Sequence, residues 1–175
     1  MSLDVTYRYI NKKDINGIIV NFTEQGWEKP RSIIENYVLE QESNERVVIV
    51  AEIADQIAGY VTLLPKAKDA VPFIERGIPE IKDLVVFKKY QSQGIGNQLL
   101  ACIEKEAALL TDEICLSVGL HKGYGAAQRL YIKRGYIPDG TGIWSGHTQA
   151  PPYAMIENND DLIICLSKKL VRFPH

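Results

Sequence analysis

Hydrophobic positions along the chain switch between two spacings, and the switches mark out its elements. Val5 to Ile10 suits a short strand, after which Ile15, Ile18, Ile19 and Phe22 recur at helical intervals. Pro30 stands where a first helical turn tolerates it, ahead of Ile33, Ile34, Tyr37 and Val38. The β-branched runs Arg46 to Ile53 and Gln56 to Leu64 flank Ala54-Asp55 and read as a hairpin. The segment from Pro65 to Pro79 is interrupted by proline and reads as a loop with at most one helical turn. Glu80 to Phe87 is a further strand, whose nearly continuous apolar end predicts burial on both faces.

From Gly94 to Leu110, Ile95, Leu99, Cys102, Ile103, Ala107 and Leu110 fall on one helical stripe. A strand over Glu113 to Leu120 follows, then a helix closed by Gly135 with Lys133 and Arg134 in its last turn. Asp161 to Lys168 is the last strand. The order β-α-α-β-β-β-α-β-α-β-β contains no repeat and predicts an α/β fold. With 175 residues and 46% hydrophobic composition, one domain spanning residues 1–175 is expected.

Charge and cysteine usage narrow the function classes. A net charge of −2 offers no global field for nucleic acid or an anionic membrane, so any anion site is local. Cys102, Cys115 and Cys165 lie far apart in apolar segments, without zinc-site spacing or an even count, and read as buried thiols. His121 and His147 lack a third ligand, so no metal is expected. No leader-like or membrane-spanning apolar run is visible, which points to a soluble, cytoplasmic protein.

The candidate chemistry begins at Val86-Phe87-Lys88-Lys89-Tyr90-Gln91-Ser92-Gln93-Gly94-Ile95-Gly96-Asn97, where a strand turns through two glycines into a helix. Glycines there leave backbone N–H groups uncovered at the positive end of the helix, a place for a phosphate, and Lys88 and Lys89 add charge. Asn97-Gln98 replaces the Lys-Ser/Thr of a P-loop, and Leu99 the third small residue of a dinucleotide fingerprint. Gln91-x-x-Gly94-x-Gly96 does resemble the acetyl-CoA signature of the GNAT family, the GCN5-related N-acetyltransferases. Ala127, Leu130, Tyr131, Gly135 and Tyr136 are similar to that family's second segment, with Tyr124 where asparagine is frequent.

The resemblance covers nearly the whole chain and implies a mixed, mostly antiparallel central sheet, helices on both faces and a splay between two parallel central strands. It implies acetyl-CoA as co-substrate, held by Val85, Val86 and Phe87 at the pantetheine arm and by Gln91, Ser92, Gln93, Gly94, Ile95, Gly96 and Asn97 at the pyrophosphate, with Tyr124, Ala127 and Tyr131 contributing from the second segment. Transfer to an amine needs a base, because an alkylammonium has no free lone pair. Glu80 and Asp83 are the candidates, and Tyr131 matches the family's usual acid for the leaving thiolate.

The acceptor expected is a small-molecule or peptide amine, with Trp27, Tyr37, Trp144 and His147 as candidate lining groups. No nucleic-acid or membrane partner is expected, and a homodimer stays open. The alternative from another class is a non-catalytic acyl-CoA-binding or sensing module with the same cradle.

Overall fold

The computed structural model describes residues 4–172. In chain order the elements are β1 (Thr6–Tyr9), α1 (Asp14–Glu24), α2 (Arg31–Glu42), β2 (Val47–Ile53), β3 (Gln56–Leu64), α3 (Val71–Ile74), β4 (Glu80–Val86), α4 (Ile95–Ala108), β5 (Glu113–Gly119), α5 (Gly125–Lys133), β6 (Ile137–Pro138), β7 (Trp144–Ser145), β8 (Thr148–Gln149) and β9 (Leu162–Lys169). The long elements fall where the apolar spacing places them. The fold is a mixed α/β arrangement with a mostly antiparallel sheet, flanking helices and one parallel strand pair, β4 with β5. No helix among the described residues is long and apolar enough to cross a membrane.

The chain divides into two compact units, one of residues 4–64 and 82–106, the other of residues 65–81 and 107–172. In the first unit β1, β2, β3 and β4 lie side by side, with β2 antiparallel to both β1 and β3. The Thr62 hydroxyl donates to the Lys82 carbonyl and the Phe87 amide to the Ala58 carbonyl, so β3 and β4 also run in opposite directions. Ala54 and Asp55 connect β2 to β3, both at positive φ (46° and 61°), the geometry that matches the twist of a two-residue hairpin. Ile15, Ile18 and Phe22 of α1 and Ile34, Tyr37 and Val38 of α2 pack on Val48, Val50, Tyr60 and Phe87. Ile49 and Ala51, which alternate with Val48 and Val50, are buried as well, so β2 is covered on both faces.

In the second unit Glu80 and Ile81, the first residues of β4, pair parallel with Cys115 and Leu116 of β5. β5 pairs antiparallel with β9 over its whole length, and β6 and β7 add to β9 as two-residue strands. Its core gathers Ala67, Ala70, Phe73, Ile78, Cys115 and Cys165, with Trp144 and Ile163 against it. Burial pushes the Cys115 thiol up and the Cys165 thiol up to about 12, which suits inert core cysteines. The apolar end of β4, where two-sided burial is expected, is only half-buried at Leu84, Val85 and Val86 and becomes buried at Phe87, whereas Glu80 and Ile81 at the other end are buried, because the ladder to β5 is only two residue pairs long.

Candidate functional site

β4 carries an irregularity that its sequence hides. Asp83 has φ +50°, left-handed and rare for a residue with a side chain inside a strand. Nearby, Gly59 of β3 lets the backbone of β4 come close, since an added Cβ would stand 2.4 Å from the Val85 carbonyl oxygen. The Asp83 carboxylate is held by one oxygen: Lys29 Nζ is 3.1 Å from Oδ2, and the Tyr37 hydroxyl donates to the same atom. Oδ1 has no hydrogen-bond partner among the described residues.

Electrostatics at this point follow from that geometry. Burial works to raise the Asp83 pKa, but the Lys29 charge, the Tyr37 hydrogen bond and the Lys82 charge together hold it below the ordinary carboxylate value. Asp83 therefore stays an anion at neutral pH. Burial and the Asp83 charge push the Tyr37 hydroxyl the other way, so it remains a donor, and the Arg46 guanidinium lies 4.6 Å from the centre of its ring. Tyr60, fully buried in β3, meets Tyr37 edge to face at 6.3 Å, and its hydroxyl has no partner among the described residues.

The strand then runs into the glycine loop. Gln91 Nε2 donates to the Val86 carbonyl at 3.0 Å and closes the loop on the strand's end. Gln91, Ser92, Gln93 and Gly94 are exposed; Ser92 and Gly94 have φ +62° and +79°, and a Cβ at Gly94 would meet nothing within 4 Å. The first bond of α4 joins the Gln98 amide to the Gly94 carbonyl, so the amides of Ile95, Gly96 and Asn97 precede the helical ladder. An open backbone cradle at a helix start fits a pyrophosphate. Lys88 and Lys89 lean toward α1: Lys88 Nζ stands 5.7 Å from the Trp27 ring centre, and Lys89 Nζ 3.2 Å from Glu24. Phe87, Lys88 and Lys89 with Asn21, Glu24 and Gln25 wall a cavity of about 260 Å³.

The second unit holds the other sequence-derived candidates. Glu80 is fully buried, and its carboxylate accepts the backbone amides of Lys68, Asp69 and Ala70 at 2.8, 3.0 and 3.1 Å. That makes it the anchor of the loop before α3. Tyr131, on α5, is 7% exposed and packs edge to face on Tyr136 at 5.8 Å. Ala127 lies one turn before it, half-buried. Tyr124 donates to Asp160 at 3.1 Å, and a Cβ on Gly119 would stand 2.2 Å from its ring. The Gly123 amide donates to His121 Nδ1, which puts the ring proton on Nε2, 2.7 Å from Asp160, and the hydrogen bond from His121 holds the Asp160 carboxyl low. Trp144 and His147 are engaged locally, with Thr141 at 2.8 Å and Asp69 at 3.1 Å. No group of three or more His, Cys, Asp and Glu that could hold a metal occurs among the described residues.

Lys29 and Tyr60 are the residues that sequence reasoning missed. Lys29, beside Pro30, reads as a helix lead-in, and Tyr60 reads as a core aromatic of a strand. Only the left-handed turn at Asp83 reveals what they surround.

The acetyltransferase (GNAT) domain family matches residues 44–138, over half of the chain. Among solved structures, an N-acetyltransferase from Staphylococcus aureus Mu50 is similar at 17% identity and TM-score 0.72, covering 96% of this chain and 99% of that one. An N-acetyltransferase from Thermoplasma acidophilum in complex with coenzyme A follows at 16% and 0.64, with 95% and 99% covered. A spermidine N-acetyltransferase chimera from Vibrio cholerae stands at 17% and 0.65, with 94% and 95% covered. No significant match is found among curated proteins.

Proposed function

The chain belongs to the acetyltransferase (GNAT) domain family and is an N-acetyltransferase, and from that premise we propose that it moves an acetyl group from acetyl-CoA directly to a primary amine of a small molecule or peptide. The observation that carries this reading is the run of the first unit from Asp83, an anion with one oxygen free, into the open backbone turn at Gly94. Acetyl-CoA supplies the activated thioester. In this reading Val85, Val86 and Phe87 align its pantetheine arm, and Gln91 to Asn97 receive the pyrophosphate. Tyr124, just before α5, and Ala127, on it, are the second unit's candidates for contacting the cofactor.

Of the two carboxylates, Asp83 suits the base. The three backbone amides that donate to Glu80 would lose a charged partner if it took up a proton, whereas Asp83 Oδ1, with no hydrogen-bond partner among the described residues, can receive one. The acceptor ammonium loses one proton to solvent before its nitrogen can attack. Once the C–N bond forms, the nitrogen is strongly acidic, and a carboxylate of low basicity accepts its second proton. Tyr131 gives its hydroxyl proton to the sulfur as the C–S bond breaks and is reprotonated from solvent, to which Asp83 releases the proton it took, so one proton is released per turnover.

Gly94→Ala tests the cradle. A methyl group would stand in open space at a left-handed position, so CoA affinity measured by titration calorimetry should fall at least tenfold, with a stability loss of about 1–2 kcal/mol from backbone strain. Unchanged affinity in the folded variant would remove the pyrophosphate from this loop.

A further inference from the structure

Most charged clusters in this protein close on themselves. Glu113 is taken by Arg76 and Lys169, and Asp160 by His121 and Tyr124. The cavity between α1 and the end of β4 is different, because three of its polar groups stay open. Asn21 is 3% exposed, and its Nδ2 donates to the Ile57 carbonyl at 2.9 Å, which leaves Oδ1 as an acceptor with no partner among the described residues. Among those residues the Tyr60 hydroxyl is the one side-chain atom both sealed and unpartnered, so Asn21 Oδ1 opens on the cavity that Asn21 walls. Gln25 accepts the Lys88 amide with Oε1, and its Nε2 has no acceptor among the described residues. Lys88 Nζ stands over the Trp27 ring at 5.7 Å without a carboxylate partner among them, whereas Lys89 is matched by Glu24.

We propose that this cavity is a binding site for a free apolar α-amino acid, taken as its zwitterion: the ammonium donates to Asn21 Oδ1, the carboxylate accepts from Gln25 Nε2 and pairs with Lys88, and the side chain lies against Phe87. Asp83 is not among the walls, so the site is separate from the proposed transfer chemistry and does not rest on it.

The ligand class follows from the chemistry of each open group. Asn21 lies in the last turn of α1, where the negative end of the helix and the Glu24 carboxylate favour a cationic donor on the open oxygen. Gln25, four residues on and on the same helical face, offers an N–H donor beside the Lys88 charge, and that pair favours a carboxylate. Opposite preferences one helical turn apart match a molecule whose ammonium and carboxylate share a carbon atom. A plain anion leaves Asn21 Oδ1 unmet, and a plain amine leaves Lys88 unmet; each fills only half of the site. Phe87, buried where β4 ends, supplies an apolar wall for an aliphatic side chain.

The test titrates leucine, N-acetylleucine and isopentylamine into the isotope-labelled full chain without acetyl-CoA, with affinity read by calorimetry and location by the amide resonances. Leucine should bind, and each analogue, lacking one of the two charges, should bind about tenfold more weakly, the usual effect of losing one hydrogen bond to a charged group. Leucine should shift the Gln25 side-chain amide and the Lys88 backbone amide. Lys88→Met, at an exposed position where the fold tolerates the change, should weaken leucine about tenfold and leave isopentylamine within about threefold of its wild-type affinity. Gln25→Glu keeps an acceptor for the Lys88 amide but turns the donor into a carboxylate oxygen, so it should weaken leucine and spare isopentylamine. Absence of leucine binding at millimolar concentration overturns the inference. So does a leucine affinity unchanged by Lys88→Met, or leucine binding that leaves the Gln25 and Lys88 resonances unmoved, as binding at Asp83 alone would.

Discussion

Glu80 and Asp83 belong to one strand and are held in opposite ways. Glu80 is sealed under three backbone amides, so its charge organises a loop; Asp83 keeps one oxygen open, so its charge can meet a ligand. Glu80→Gln turns one acceptor oxygen into a donor that faces an amide, and hydrogen bonds to a buried charge contribute about 1.5–3 kcal/mol each. Chemical denaturation should show a loss of at least about 2 kcal/mol, with kcat of the folded fraction within a few-fold of the wild type. A variant as stable as the wild type would deny Glu80 its anchoring role. For Tyr131 the order reverses, because Tyr131→Phe removes only a hydroxyl. Its kcat should fall by roughly 10²–10⁴-fold with little change in acetyl-CoA affinity. Near-normal kcat under conditions where chemistry limits turnover would make the tyrosine a packing residue.

Element by element, periodicity did most of the work, and it failed where elements are short or backbone geometry is special. β6, β7 and β8 are two residues each, too brief for alternation to register. Gly94 announced its left-handed turn by being glycine, but Asp83 adopts one with a side chain and gave no signal. For the same reason Lys29 and Tyr60 stayed invisible, since their roles depend on where that turn sends the carboxylate. The hairpin between β2 and β3 was legible from its β-branched flanks, although Ala54 is an unusual occupant of its turn. Both turn residues sit at positive φ, where Asn-Gly is favoured and an L-residue costs about 1–2 kcal/mol. Replacing Ala54-Asp55 by Asn-Gly should therefore raise stability by about 1 kcal/mol, read as a higher denaturant midpoint at unchanged slope. A midpoint that stays put or falls would contradict the type I′ geometry.

At the level of the whole molecule, the proposed roles divide between the two units: pyrophosphate cradle and Asp83 in the first, Tyr131 in the second. Family membership makes the chain an acetyltransferase, while acetyl-CoA dependence and amine acceptance rest on the residues argued above. Binding of CoA alone would not separate an enzyme from an acyl-CoA sensor, because the same cradle serves both. Catalysis does separate them. The decisive measurement is incubation of the purified protein with acetyl-CoA and a panel of primary amines, following free thiol and identifying the amine product by mass spectrometry. Thiol release should depend on the amine, match the acetylated amine one for one, and drop at least a hundredfold in Asp83→Asn. Tight CoA binding with no amine-dependent thiol release from any member of the panel would contradict the transferase assignment and leave a binding module in its place.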